Sequence, residues 1–179
     1  ITSNITESGD VALGQWTTGS GFTVTIRPST NSTRTLTCDD SISVINLNGA
    51  DNVVIDGRHN GAGTTSYLTI RNTNAYGSVF RFINDARGNT IRYCTIEGSN
   101  NVSTRGVIEF MTGSTNGNDN NTISNNNIKD GSITPQVMIY SQGSTSSSGI
   151  FNSNNTISDN NIYNFYRVGQ TCSGIRLDE

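Results

Sequence analysis

A segment that occurs three times constrains the fold of this chain more than any other feature. It reads NNTISNNNIKD at residues 120–130, NNTISDNNIYN at 154–164 and, more loosely, GNTIRYCTIEG at 88–98. Two isoleucines keep their place in every copy, at intervals of 32 and 34 residues: Ile91, Ile123 and Ile157, and Ile96, Ile128 and Ile162. A repeat of this length, built from short β-branched stretches and Asn/Gly turns, is typical of a solenoid.

Around these copies the chain runs in sets of three short strand-like stretches. The stretches that open successive sets are SVINL at 43–47, SVFRF at 78–82, GVIEF at 106–110, QVMIY at 136–140 and GIRL at 174–177. Helical periodicity is absent, and the chain has only 2 prolines. The pattern predicts an all-β fold, a right-handed three-sheet parallel β-helix of about five coils. We expect one domain over 1–179, with an N-terminal coil or cap at 1–41 and regular coils at 42–179.

Alternation along each strand assigns the side chains of the core. The first sheet is expected to point five pairs inward: Ile45/Leu47, Phe80/Phe82, Ile108/Phe110, Met138/Tyr140 and Ile175/Leu177. The second sheet contributes Ile55, Ile91, Ile123 and Ile157, and the third contributes Ile70, Ile96, Ile128 and Ile162. These stacks fix the register, because a slip of one residue would turn every one of them toward water.

One repeat position, at the corner between the second and third sheets, is occupied by Cys94, Asn126 and Asn160. Stacked side-chain amides can hydrogen-bond from coil to coil, and Asn tolerates the left-handed backbone of a tight corner. The position therefore predicts an asparagine ladder in which Cys94 is a small buried substitute. We do not interpret Cys94 as a nucleophile, which would require an electropositive setting.

Charged residues also recur at outward positions. On the third sheet the column Arg71, Glu97 and Lys129 places an acid between two bases. On the first sheet the outward column is expected to read Asn46, Arg81, Glu109, Ile139 and Arg176. Opposite charges on neighbouring coils are the pattern of cross-strand ion pairs.

Composition argues against several classes of partner. The chain is 32% hydrophobic and 14% charged with a net charge of -3, and it has no basic run, so we expect no nucleic-acid partner. No apolar stretch is long enough for membrane insertion. The cysteines match no metal-ligand spacing and the chain has 1 histidine, so we expect no metal and no other cofactor. Cys38 and Cys172 fall in different coils, and the sequence leaves their disulfide status open.

The repeats resemble a known family. NNTISNNNIKD and NNTISDNNIYN are similar to the parallel β-helix repeat of the pectate-lyase-like superfamily. LNGADNVVIDGRHNG at 47–61 resembles the opening coil of large secreted bacterial β-helix proteins, many of them surface proteins of Bacteroidetes-type organisms. The resemblance, which covers the chain from Phe22 onward, implies the solenoid fold and an extracellular or cell-surface location. It implies no single activity, because the same helix carries lyases, hydrolases, adhesins and fibres.

Family enzymes that cut polysaccharides carry paired carboxylates, or calcium ligands beside a basic residue, on one outer face. The first sheet offers one acid, Glu109, between Arg81 and Arg176, with Ile139 interrupting the column. We therefore expect no enzyme and no catalytic residue, but an extracellular structural or adhesive module. The alternative is a polysaccharide-binding or polysaccharide-cleaving module.

The ends of the helix raise the question of assembly. GIRL opens a coil whose other two strands are missing, so something must cover the apolar residues there: Ile157, Ile162, Ile175 and Leu177. Either the chain continues past Glu179, or residues 1–7 and 22–27 of a second molecule stack there and build a fibre head to tail. At the other end, residues 9–21, which include Trp16, are the candidate cover of the first coil.

Overall fold

The computed structural model describes residues 1–15 and 21–178 and forms a parallel β-solenoid of about five coils. Three parallel sheets surround one core, and the described residues contain one helical element, a 3-10 turn at Ser148–Ile150. The predicted all-β, three-sheet fold is confirmed. The predicted cover at residues 9–21 lies partly outside the described residues, and so does Trp16.

Each coil contributes one strand to each sheet, and strands of neighbouring coils pair in parallel. The first sheet consists of β2 (Val11–Gly14), β5 (Ser43–Asn48), β8 (Ser78–Ile83), β11 (Ile108–Phe110), β14 (Val137–Ser141) and β17 (Ser173–Leu177). The second consists of β3 (Val24–Ile26), β6 (Val53–Asp56), β9 (Thr90–Arg92), β12 (Thr122–Ser124) and β15 (Thr156–Ser158). The third consists of β1 (Ile5–Glu7), β4 (Arg34–Cys38), β7 (Leu68–Asn72), β10 (Thr95–Gly98), β13 (Asn127–Asp130) and β16 (Asn161–Ile162).

The inward columns of the second and third sheets have the predicted register. The second sheet stacks Ile26, Ile55, Ile91, Ile123 and Ile157. The third stacks Ile5, Leu36, Ile70, Ile96, Ile128 and Ile162. The isoleucines of the middle coils are 0% exposed. Each such residue contributes roughly 1.5–3 kcal/mol through apolar burial, so the columns hold the coils together.

The first sheet departs from the prediction in one coil. Ile108 pairs with Ile139, so Ile139 occupies the inward column, while Tyr140 pairs with Glu109 in the outward column. The prediction that Met138 and Tyr140 form the inward pair, with Ile139 outward, is therefore wrong. Four apolar residues in a row, VMIY, fit either phase of the alternation, so the sequence does not decide which of them faces the core. Met138 is nevertheless buried and belongs to the core.

The winding begins with the first strands. Ile5 pairs with Leu36 in the third sheet, and Val11 pairs with Ile45 in the first. Residues 1–41 thus contribute β1–β4 to the same sheets as the later coils.

Candidate functional site

The asparagine ladder at the corner between the second and third sheets is present. The backbone N–H of Cys94 donates to Oδ1 of Asn126 at 2.9 Å, and that of Asn126 donates to Oδ1 of Asn160 at 3.0 Å. The Nδ2 of Asn126 also donates to the carbonyl oxygen of Ile91 at 2.9 Å. Each ladder side chain therefore ties its own coil to the coil before it, and Cys94 fills the first position of the ladder.

The left-handed backbone of this corner lies one residue earlier than predicted. Tyr93, Asn125 and Asp159 have φ of 53°, 57° and 55°. The ladder residues that follow them are not left-handed, and Asn126 is buried. The residue with positive φ thus makes the turn of the corner, and the residue after it provides the side-chain amide of the ladder.

Two further ladders were not predicted. Asn89 Nδ2 donates to Asn121 Oδ1 at 2.9 Å, and Asn121 Nδ2 donates to Asn155 Oδ1 at 3.1 Å. Asn118 Nδ2 donates to Asn152 Oδ1 at 2.9 Å. The first of these ladders could have been predicted from the sequence, because each of its members is the second residue of the repeated motif (Gly/Asn)-Asn-Thr-Ile.

An ion-pair column lies on the outer face of the third sheet. Glu97 pairs in register with Arg71 on one side and Lys129 on the other. Its carboxylate contacts Arg71 Nε and lies 3.3 Å from Lys129 Nζ. Both bases are partly exposed, so each pair contributes at most about 1 kcal/mol.

The outward column of the first sheet is more polar than predicted. It reads Asn46, Arg81, Glu109, Tyr140 and Arg176. The Tyr140 hydroxyl donates to Asp178 at 2.9 Å, and the Arg176 guanidinium lies 5.7 Å from the centre of the Tyr140 ring. Tyr140 therefore connects Glu109 to the last coil. It occupies the outward position at which the sequence analysis predicted Ile139.

Glu109 is 0% exposed, although it lies on an outer face. Its Oε1 is 3.2 Å from Arg81 Nε and accepts a hydrogen bond from Arg105 Nη2 at 3.2 Å. Arg105 also donates from Nη1 to the carbonyl oxygens of Ser41 and Tyr76, both at 2.9 Å. Arg105 thus connects three successive coils and covers the carboxylate.

Burial raises the pKa of Glu109, and the positive charges of Arg105 and Arg81 only partly oppose the effect. Glu109 Oε2 lacks a hydrogen-bond partner among the described residues, and so do two other buried polar atoms of the first sheet, Asn46 Oδ1 and Ser43 Oγ. A buried polar atom without a partner costs stability, so the surroundings of Glu109 are less favourable than those of a fully bonded carboxylate.

A second charged cluster lies at the end of β6. Asp56 is 2% exposed and accepts hydrogen bonds from Arg58 Nε and Nη2 at 2.8 and 2.7 Å, and from Arg92 Nε at 2.9 Å. The Arg58 guanidinium lies 4.0 Å from the centre of the Tyr93 ring. Burial would raise the pKa of Asp56, but the bonds and charge of Arg58, with the charge of Arg92, leave it below its usual value.

Asp85 organises the loop after β11. Backbone N–H groups of Ser114, Thr115 and Gly117 donate to its carboxylate over 2.7–3.1 Å. Burial opposes ionisation, yet these donors together hold the pKa of Asp85 below its usual value. The carboxylate is fully engaged by the loop, which makes its role structural.

The three cysteines are free thiols. Burial raises the pKa of Cys38 to about 11, and that of Cys94 rises further for the same reason. Cys172 is half-buried. A thiol with a raised pKa is a poor nucleophile at neutral pH, so Cys38 and Cys94 act as small core residues.

Both ends of the solenoid expose apolar core residues, and polar side chains line them as well: Glu7 at the N-terminal face, and Ser141, Asn152, Asn154 and Asn155 at the C-terminal face. At the N-terminal face a cavity of ≈ 190 Å³ is lined by residues that include Ile5, Val11 and Ile26. At the C-terminal face a cavity of ≈ 390 Å³ is lined by residues that include Ile157, Ile175 and Leu177. Ile175 and Leu177 are 47% and 72% exposed. Ile162 is half-buried there, with Phe165 packed against the core.

Residues 1–15 and 21–178 contain no group of three or more His, Cys, Asp or Glu side chains placed to hold a metal ion. No helical element in the described part of the chain has the length and apolar character of a membrane span. Comparison of the chain with protein-family models, with curated proteins and with solved structures gives no match.

Proposed function

We propose that this chain is a structural β-solenoid module that assembles head to tail, with the C-terminal face of one molecule on the N-terminal face of the next. The observation that carries the proposal is that apolar core residues are open to solvent at both faces, with Val11 46% exposed at one and Ile175 and Leu177 47% and 72% exposed at the other. Three columns run the length of the core without a polar member: Ile26 to Ile157, Ile5 to Ile162, and Val11 to Ile175. Burial of both ends of these columns is the driving force for stacking.

The backbone edges at the two faces support the same arrangement. β1, β2 and β3 are the edge strands at one face, and β15, β16 and β17 are the edge strands at the other. An unpaired edge is a template for another strand. Because all pairing along the axis is parallel, a second molecule in the same orientation offers complementary edges, and such a heterologous contact continues into a fibre.

The surroundings of Glu109 favour a structural module over a polysaccharide enzyme. The alternative depends on Glu109, which Arg105 covers, and the neighbours of Glu109 in its column are Arg81 and Tyr140, neither of them a second carboxylate. An extracellular or cell-surface location and kinship with secreted bacterial pectate-lyase-like proteins belong to the same proposal. They rest on the resemblance of the repeats and on a surface of amides and hydroxyls with 14% charged residues.

The test is the mass of the protein in solution as a function of concentration. We expect the wild type to grow in mass on concentration, and Leu177→Lys, which places a charge on the C-terminal face, to stop that growth. The matched control is Val168→Lys, because Val168 is 87% exposed and lines neither end cavity. A wild type that stays monomeric, or a Val168→Lys effect equal to that of Leu177→Lys, would overturn stacking through the end faces.

A further inference from the structure

We infer that Asn60 is a site of spontaneous deamidation in the folded protein, and that two other Asn-Gly sequences are protected by the fold. The chain contains three Asn-Gly pairs, at 48–49, 60–61 and 116–117. Glycine after asparagine favours ring closure, because it has no side chain to obstruct the ring and its backbone is permissive. The three pairs should therefore react alike in the unfolded chain and differ only through their structural setting.

The reaction needs a free glycine nitrogen. The backbone nitrogen of Gly61 attacks Cγ of Asn60, the Cγ–Nδ2 bond breaks, and the displaced proton leaves with the amide nitrogen as ammonia. One water molecule then opens the five-membered succinimide at either carbonyl and gives aspartate or isoaspartate. The net change is asparagine plus water to aspartate plus ammonia, with no oxidant or cofactor.

At Asn60 the structure leaves this path open. Asn60 is exposed, and residues 62–65 after it are exposed too. The N–H of Gly61 has no acceptor among the described residues. The N–H of Ala62 donates to Asn60 Oδ1 at 3.1 Å, which folds the side chain back over its own backbone and polarises the carbonyl under attack.

The same path is closed at Asn48. The N–H of Gly49 donates to the carbonyl oxygen of Ile83 at 2.9 Å, so the nucleophile is bonded to the next coil. Asn48 Oδ1 accepts a hydrogen bond from Asn84 Nδ2 at 2.6 Å, so the side chain is held as well. Both groups would have to leave the coil-to-coil network before the ring could close.

At Asn116 the protection comes from one carboxylate. Asn116 is exposed like Asn60, but the N–H of Gly117 donates to Asp85 Oδ1 at 3.1 Å. Gly117 is also buried, and a Cβ at this position would lie 2.0 Å from the carbonyl oxygen of Phe151. Asp85 holds the loop in this packed conformation and so opposes the backbone movement that ring closure requires.

Deamidation at Asn60 would leave the coils unchanged. The residue lies in the loop between β6 and β7 and belongs to none of the ladders. The product adds one negative charge beside Arg58 and His59, and isoaspartate lengthens the backbone at a place where no strand pairing depends on it. The inference concerns the loop and is independent of the stacking of the end faces.

Peptide mapping by mass spectrometry tests the inference after incubation of the folded protein in mildly alkaline buffer. We expect conversion at Asn60 at least about tenfold faster than at Asn48 and Asn116, because local hydrogen bonding and packing protect the latter two. In denaturant all three should convert at similar rates. Asn60→Gln should abolish the fast conversion, since glutamine would need a larger ring.

A second variant tests the cause of the protection. Asp85 has φ of 64°, which glycine adopts readily, so Asp85→Gly removes the acceptor without backbone strain. We expect Asn116 to become reactive in this variant while Asn48 stays protected. Equal rates at all three sites in the folded wild type, or an intact Asn60, would overturn the inference. An Asn116 that stays inert in a folded Asp85→Gly variant would overturn the role of Asp85.

Discussion

Asn126 donates two hydrogen bonds to a single atom of Asn160: its backbone N–H and its side-chain Nδ2 both lie 3.0 Å from Oδ1 of Asn160. The same side chain accepts from the N–H of Cys94 and donates to the carbonyl oxygen of Ile91. At a corner, where strand pairing is interrupted, the backbone needs such partners, because a buried unpaired N–H or carbonyl is costly.

Replacement of Asn126 by alanine should therefore destabilise the protein. The change removes the ladder bonds and leaves buried backbone groups of Cys94 and Ile91 without partners, so we expect a loss of about 2–3 kcal/mol in the free energy of unfolding. Asn127→Ala is the matched control, since Asn127 is the next residue and its one side-chain bond, to the exposed Asn161, is 3.5 Å long. Urea unfolding of both variants measures the difference, and equal losses would contradict the ladder.

An asparagine in place of Cys94, at the first position of the ladder, should increase the stability of the protein. Asn126 and Asn160 donate from Nδ2 to the carbonyl oxygens of Ile91 and Ile123. By the repeat, an asparagine at position 94 would reach the carbonyl oxygen of Ile55, the partner of Ile91. We expect Cys94→Asn to raise the free energy of unfolding by about 1 kcal/mol. Cys94→Ala, which has no such donor, should lower it, and a Cys94→Asn variant weaker than Cys94→Ala would refute the extension.

The columns of isoleucine were predictable because polar residues flank each of them. In Thr-Ile-Ser and Asn-Ile-Lys only one phase of the alternation buries the apolar residue, so the sequence sets the register. In Val-Met-Ile-Tyr both phases bury apolar residues, and the prediction for Tyr140 was wrong. Which of these residues face the core depends on the path of the preceding loop. The alternation of apolar and polar residues does not predict that path.

Glu109 on the first sheet predicts a distinctive pH dependence. Burial holds the pKa of Glu109 above its ordinary value, so the folded state binds this proton more tightly than the unfolded state. Its contribution to stability is therefore full below the unfolded pKa and is lost as the pH rises through the folded pKa. Relative to Glu109→Gln, the wild type should gain stability on acidification from neutral pH. Urea midpoints across pH measure this, and a constant difference between the two proteins would argue against it.

Asp56 predicts the opposite trend. Its folded pKa is lowered, so its contribution is present above the unfolded pKa and is lost as the pH falls through the folded pKa. Asp56→Asn should cost about 3 kcal/mol at neutral pH, because it leaves the buried Arg58 without its carboxylate. The cost should shrink on acidification. Asp159→Asn, at an exposed corner with φ of 55°, is the control and should cost little at neutral pH.

The charged clusters could be predicted from the sequence only in part. The column of Arg71, Glu97 and Lys129 follows from strand register alone, and the structure places these residues in contact. The cover that Arg105 forms over Glu109, and the contact of Arg58 with Tyr93, depend on side chains that reach back from loops. Register does not determine loop paths, so the sequence predicted the outward position of Glu109 but not its burial.

Mixing two variants, each blocked at one face, tests head-to-tail assembly most directly. Val11→Lys places a positive charge on the N-terminal face, and Leu177→Lys places one on the C-terminal face, so neither variant should assemble alone and the two altered faces repel each other. In a mixture the intact C-terminal face of the first meets the intact N-terminal face of the second. Sedimentation velocity should then show one-to-one dimers and no larger species. A mixture that stays monomeric would contradict the proposal, and so would a wild type that does not assemble.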